Sequence, residues 1–286
     1  MNFGTILGIL TLLLTIIALI LATIFRIVSK LNLTIKYLKI FLGIFGLIYF
    51  IIFWYFHDLI NIINNQNSIA NISIYWSKVL LLDMCPFMYV FLNLCFIFDY
   101  KNKLIKTVCL WSIIGSSITI IGSIWSVNYN GNPLIYIFLG SNEGRLYYFI
   151  HAFMLIFGTF FFVYNNRHRF IDVFVSHLLP SLYLIYVLII IRTLNITRNA
   201  SGLVEYDWIN TNGEYYLVYQ LLKLKFPQIQ IVAYFLVWIE MIILIILRNS
   251  IAKPTLQWFW PKFIYQKITL WDKISKKWYL TRLKTF

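Results

Sequence analysis

The chain has 286 residues, 61% of them hydrophobic and 12% charged, with a formal net charge of +14 and a mean hydropathy of +0.79. No water-soluble domain can hide that much apolar surface, so a soluble enzyme with a water-facing active site is excluded. Clustered Lys and Arg also mark phosphate-backbone binders, but here they gather in loops on one side of the apolar runs and in the C-terminal stretch, which argues against nucleic acid.

A hydrocarbon core of about 30 Å asks for about 20 apolar residues per helix. Seven such runs follow one another: Ile6 to Phe25, Tyr37 to Phe56, Val79 to Phe98, Thr107 to Val127, Leu146 to Tyr164, Val173 to Leu194 and Ile229 to Leu247. The first lacks a basic n-region and a small-residue cleavage site and is expected to be a retained helix. The fold class expected is therefore an all-α membrane bundle of about seven transmembrane helices over residues 1–250, multi-pass in the cell membrane.

The basic residues set the expected direction. Arg26, Lys30 and Lys36 follow the first run, Lys101, Lys103 and Lys106 the third, and Arg167 and Arg169 the fifth, with nine more from Arg248 onward. Short cytoplasmic loops are enriched in Lys and Arg, so the N-terminus is expected outside and the C-terminus in the cytoplasm. Residues 251–286 carry Trp260, Ile264, Ile268, Trp271 and Trp278 at helical spacing among lysines. That pattern suits a basic amphipathic helix on the anionic inner leaflet, or a surface for a cytosolic partner protein. The mostly polar loop from Asn195 to Gln228 is expected to be a lid over an outward-facing site.

Ionisable and reactive groups inside the runs are the functional candidates, because burying them in lipid is costly. Lys39 lies near a cytoplasmic helix end and is expected to snorkel to water. Cys85 lies roughly 9 Å below the outer boundary at helical rise, and His151 enters its own helix to nearly the same depth. Asp83, Arg145 and Arg192 belong to the same outer zone. Pro86 should kink or restart the third helix, making Cys85 the cap of a half-helix whose dipole favours a thiolate. Only such a break lets Asp83 and Cys85, two residues apart, address one site. His151 then suits a general base, and Tyr147 and Tyr148, a turn earlier, suit orienting groups. The bland readings stand beside these: Cys85 as a packing residue, and Asp83 with Arg192 as an interhelical ion pair. Cys95 and Cys109 lack a polar neighbourhood and are expected to be structural.

Glu240 and His177 lie deeper, at similar depth, and are expected to hydrogen-bond or to keep Glu240 protonated; with Arg192 they would suit a transport path. No metal-ligand spacing or cofactor fingerprint is present, so no cofactor is expected.

The patches Leu80-Leu81-Leu82-Asp83-Met84-Cys85 and Tyr147-Tyr148-Phe149-Ile150-His151 resemble those of the YwaF-like family of bacterial membrane proteins, relatives of the transmembrane protein 164 type of cysteine acyltransferase. In that family a Leu-Pro-Leu-His-Leu-Cys patch and a Phe-x-x-x-His patch carry nucleophile and base. The family's Pro falls on Leu81 and its His on Asp83. The resemblance implies Cys85 as acyl-accepting nucleophile and His151 as base. The expected activity is transfer of an acyl chain from a membrane phospholipid to a lysolipid or lipoprotein amine, with Arg145 and Arg192 on the donor's phosphate.

Overall fold

A computed structural model describes residues 3–27, 32–60, 69–122, 131–139, 147–165, 170–196, 201–209 and 215–252. Among them every regular element is helical. The long helices are α1 (Phe3–Ile27), α2 (Asn32–Phe50), α4 (Met84–Phe98), α5 (Ile105–Gly122), α7 (Tyr147–Tyr164), α8 (Phe170–Leu194) and α11 (Gln228–Ala252). Shorter ones are α3 (Ile69–Val79), α6 (Pro133–Leu139), α9 (Glu205–Ile209) and α10 (Tyr216–Leu222), and α2 runs on into a π-helical segment, Ile51–Leu59. The expected tail helix and Arg145 lie outside the described residues, as does the side chain of Tyr147.

Five helical stretches are long and apolar enough to cross a membrane: Phe3–Arg26, Leu33–Phe56, Tyr75–Phe98, Asp172–Leu194 and Gln228–Asn249. Two further apolar helices, Ile105–Ile121 and Tyr148–Tyr164, are shorter. These two form the centre. Helix α5 buries Val108, Cys109, Leu110, Ser112, Ile114, Ser116, Thr119 and Ile120 almost completely, on every side. It packs against α4, α7, α8 and α11, while α1 lies on α7 and α2 on α4. The outer helices turn Leu13, Ile16, Ile17, Phe41, Leu182, Ile189 and Phe235 outward, the pattern of a bundle whose surroundings are apolar.

Small residues let the inner helices approach. A Cβ placed on Gly158 of α7 would lie 3.3 Å from Ser112 Cβ and 3.4 Å from the Cys109 carbonyl oxygen. On α2, a Cβ at Gly43 would lie 2.8 Å from the Asn93 carbonyl oxygen, and Gly46 faces the Asn93 side chain just as closely. The hydroxyls in these contacts are satisfied within their own helices: Ser112 Oγ donates to Val108 O at 2.8 Å, Ser117 Oγ to Ile114 O at 3.0 Å, and Ser116 Oγ to the Ser112 carbonyl. Burying them therefore leaves no orphaned donor.

At one end of the bundle the helix termini are held by buried charge. Lys39, 6% exposed, donates to Asp99 O at 2.7 Å and Asn102 Oδ1 at 2.8 Å. It therefore does not snorkel as expected: the backbone beyond the end of α4 supplies better ligands than water. Asp99 in turn accepts from the Leu104 and Ile105 amides at 2.7 and 2.8 Å, capping the start of α5. Arg248, 2% exposed, donates through Nε to Phe162 O at 3.2 Å and through its terminal nitrogens to Asn165 O and Asn249 Oδ1. Its cation thus sits on carbonyls left open at the C-terminus of α7. Lys106 pairs with Asp172 at 3.7 Å, joining the starts of α5 and α8.

Two expectations need correction in detail. Of the two outcomes expected at Pro86, kink or restart, the third run has the restart, but two residues earlier and with a different cap: α3 ends at Val79, Leu81 takes a positive φ of 52°, and α4 starts at Met84 with Asp83, not Cys85, as its N-cap. Pro86 falls in the first turn, where its missing N–H would have no helical partner anyway. The stretch from Asn195 to Gln228 is not simply polar loop: Trp208 is buried, donates to Gly202 O at 2.9 Å and packs on Tyr215, and Asp207 accepts from the Gly202 amide at 2.8 Å.

Replacing Gly43 by Val forces a branched side chain onto the α4 backbone. Overpacking of this kind costs about 1–3 kcal/mol, so the detergent-solubilised variant should melt several degrees below the wild type. An unchanged melting profile would mean that α2 and α4 do not approach this closely.

Candidate functional site

The restart at Met84 decides where Cys85 points. Its thiol lies in the first turn of α4, half-buried, with Sγ 4.0 Å from Thr119 Oγ1 and 3.6 Å from where a Cβ on Gly115 would be. Thus the absent side chain at Gly115 makes room for the sulfur, and Thr119 supplies the polar group beside it. Asp83 accepts from Ser77 Oγ at 2.9 Å, closing the α3–α4 break, and Tyr183 and Tyr186 of α8 donate to Leu81 O and Leu80 O at 3.0 and 2.8 Å. The carbonyls that the break exposes are held by those two phenols. As N-cap, Asp83 makes no side-chain bond to the helix amides.

His151 is 3% exposed on α7. Two registers fix its level. Tyr89 meets Phe153 and, two turns on, Phe96 meets Phe161, so α4 and α7 run parallel, and a turn before Tyr89 the same register carries Cys85 to the level of Phe149 and Ile150. Separately, Gly158 faces Ser112 on antiparallel α5. Two turns back, on the same face of α7, is His151, and two turns forward on α5 is Thr119. Both registers bring His151 to the layer of Cys85 and Thr119.

Other expected members of the site separate from it. Tyr148 shares a 2.7 Å hydrogen bond with Thr11 Oγ1 and donates to Leu7 O at 3.4 Å, tying α7 to α1. It serves that joint and does not orient the imidazole. Arg192 is exposed near the end of α8 and lines an open groove of about 450 Å³ with Ile191, Ile196, Leu203, Glu205 and Phe226. Among the described residues it forms no ion pair, so the pairing with Asp83 is not formed. It stands nine residues beyond Tyr183, roughly 14 Å along the helix.

His177 and Glu240 do not meet either. His177 Nδ1 lies 3.4 Å from Tyr234 Oη, with Trp238 5.7 Å away ring to ring, whereas Glu240 occupies a different face of α11. Cys95 and Cys109 are buried in apolar packing, as expected. Among the described residues, no three His, Cys, Asp or Glu side chains are grouped to hold a metal ion.

Thr119 is the member that sequence reasoning missed. A lone threonine in an apolar run resembles Thr11, Thr15 and Thr23, whose hydroxyls bond back into their own helices. Its distinguishing signal is the Gly115-x-x-x-Thr119 spacing, which leaves room beside one hydroxyl for a neighbour's side chain. Because Cys85 is the one partly accessible thiol, a small methanethiosulfonate reagent should modify the folded protein once, and Cys85→Ala should remain unmodified. Labelling of Cys85→Ala at the wild-type level would contradict this geometry.

A model for a family of unknown function, DUF5378, matches residues 9–284. The uncharacterized protein MG135 of Mycoplasma genitalium is 28% identical over 172 residues, covering 59% of this chain and 60% of its own length. The MG135 homolog of Mycoplasma pneumoniae is 26% identical over 208 residues, covering 69% of this chain and 72% of its own. The chain thus spans about 60% of the length of the Mycoplasma genitalium relative. No solved structure matches it. Matched over nearly its whole length, the chain belongs to the DUF5378 family.

Proposed function

We propose that this is a multi-pass protein of the cell membrane with seven crossings, its N-terminus outside and its C-terminus cytoplasmic, that transfers an acyl chain through a Cys85 thioester. What supports seven crossings is that the two shorter apolar helices, α5 and α7, are the innermost; protein rather than lipid surrounds them, and they need not match the full hydrocarbon thickness. What supports the orientation is the gathering of Arg26, Lys36, Lys103 and Lys106 at one end.

The observation that carries the chemistry is the contact of Cys85 Sγ with Thr119 Oγ1 at the first turn of α4, at the level of a buried histidine. It is joined by the likeness of the Leu80–Cys85 and Tyr147–His151 patches to the YwaF-like family. In the proposed cycle His151 takes the thiol proton by way of the Thr119 hydroxyl, and the thiolate attacks an ester carbonyl of an outer-leaflet phospholipid. The C–O bond breaks, the lysolipid alkoxide leaves with the proton from His151, and the acyl group stays on sulfur. A lysolipid hydroxyl or lipoprotein amine then attacks the thioester, its proton returns through His151, and the thiolate is freed. Arg192 serves as a headgroup cation only for a donor lying well outside the Cys85 layer, given its distance along α8. Cytosolic acyl-CoA does not reach an outer-leaflet thiol, so a phospholipid is the donor.

A transport reading needs Glu240, His177 and Arg192 along one path. His177 and Glu240 lie on separate faces of the packing and Arg192 lies at the far end of α8, and no observation favours it.

Purified protein incubated with phospholipid should gain an acyl mass that hydroxylamine removes and Cys85→Ala lacks. Thr119→Val, equal in size but without the hydroxyl, should slow acylation on the order of 100-fold, the low end of what proton transfer contributes; Thr119→Ser should restore most of it. Absence of any adduct on wild-type protein, or an equal adduct on Cys85→Ala, overturns the thioester.

A further inference from the structure

We infer that α11 is the contact helix of a homodimer, in which Glu240 of one copy hydrogen-bonds Glu240 of the other. Among the five long apolar stretches α11 is the least covered: 17% of its membrane window is buried, against 28 to 50% in the others. Its buried face is Met241, Ile245 and Arg248, which pack inward. About a third of a turn around the helix lies a second stripe, Leu236, Glu240, Ile243 and Leu247, whose spacing alternates four and three residues as in a knobs-into-holes seam. Its three aliphatic members are 47, 49 and 53% exposed.

Glu240 is half-buried near the middle of the helix, and among the described residues it has no hydrogen-bond or ion-pair partner. A carboxyl at this depth faces a bundle interior, a water-filled cavity or a partner. Its neighbours on the stripe are aliphatic and outward-facing, so among the described residues nothing on this chain supplies the carboxyl with a polar contact, and a partner seated on the stripe would. A second copy of this chain meets the requirement without any further polar group. In a two-fold pair of parallel helices each residue near the axis meets its counterpart at the same depth. A protonated carboxyl is both donor and acceptor, so Glu240 satisfies Glu240 while Leu236, Ile243 and Leu247 interlock around the pair. This surface lies on a different helix from Cys85 and stands or falls independently of the acyl-transfer reading.

The test uses the full chain in its native membrane. Oxidation of Ile243→Cys should yield a disulfide-linked species of twice the monomer mass, whereas the wild type and Leu13→Cys, on the equally exposed face of α1, should not. In proteoliposomes, energy transfer between labelled copies should report association that Glu240→Gln retains, since an amide also donates and accepts. Glu240→Leu should weaken association on the order of 3- to 30-fold, the range of interhelical hydrogen bonds in bilayers. Failure of Ile243→Cys to cross-link, equal linking by Leu13→Cys, a link to a different protein, or undiminished association of Glu240→Leu each overturns the inference.

Discussion

Close packing on α5 is the constraint from which the rest follows. In an apolar solvent, hydrophobicity does not drive helices together, and association falls to van der Waals contact, interhelical hydrogen bonds and small residues. Helix α5 meets that requirement with Ser112, Gly115, Ser116 and Thr119, whose small side chains admit α7 at Gly158 and the Cys85 sulfur of α4. Ser112 and Ser116 direct their hydroxyls into their own helix, so close approach costs them nothing in lost hydrogen bonds. Thr119 differs in directing its oxygen toward a neighbouring thiol. A candidate site arises where the central helix presents a polar group at a gap left by a glycine.

The charges act largely through the fold. Lys39, Arg248, Lys106 and Asp99 hold helix termini at one end of the bundle, where each unpaired carbonyl or amide would otherwise be buried in a medium unable to solvate it. A cation at a helix C-terminus offsets the end of the dipole and satisfies open backbone carbonyls, one for Lys39 and two for Arg248, each with a side-chain oxygen beside them. Part of the formal charge of +14 is therefore architectural, and counting Lys and Arg by side identifies which end of the bundle carries them without saying how many remain for a partner or a lipid headgroup.

The long helices were legible in the sequence because hydropathy over some twenty residues is a strong one-dimensional signal, and each expected run has an apolar helix. What escaped was decided by neighbours. The break before Met84 depends on Leu81 at positive φ and on Tyr183 and Tyr186 receiving the freed carbonyls, none of which is visible within the Leu80–Cys85 patch. Lys39 looked exposed because a lysine near a helix end usually is; the Asp99 carbonyl that captures it comes from 60 residues away. Depth alone suggested that His177 and Glu240 meet, but helical phase put them on different faces. For Cys85 and His151 the level is set by the α4–α7 ring pairs, which hydropathy does not contain. Thr119 needed the packing of three helices to be seen.

Helix α5 sets the register that brings His151 and Cys85 to the level of Thr119. Disulfide scanning tests it most directly: in a Cys85→Ala background, His151→Cys is paired in turn with Thr119→Cys, Ser116→Cys and Ser112→Cys and oxidised in the membrane. The highest yield is expected at Thr119, falling steeply by Ser112. A maximum at Ser112, or no link at any of the three levels, would contradict it.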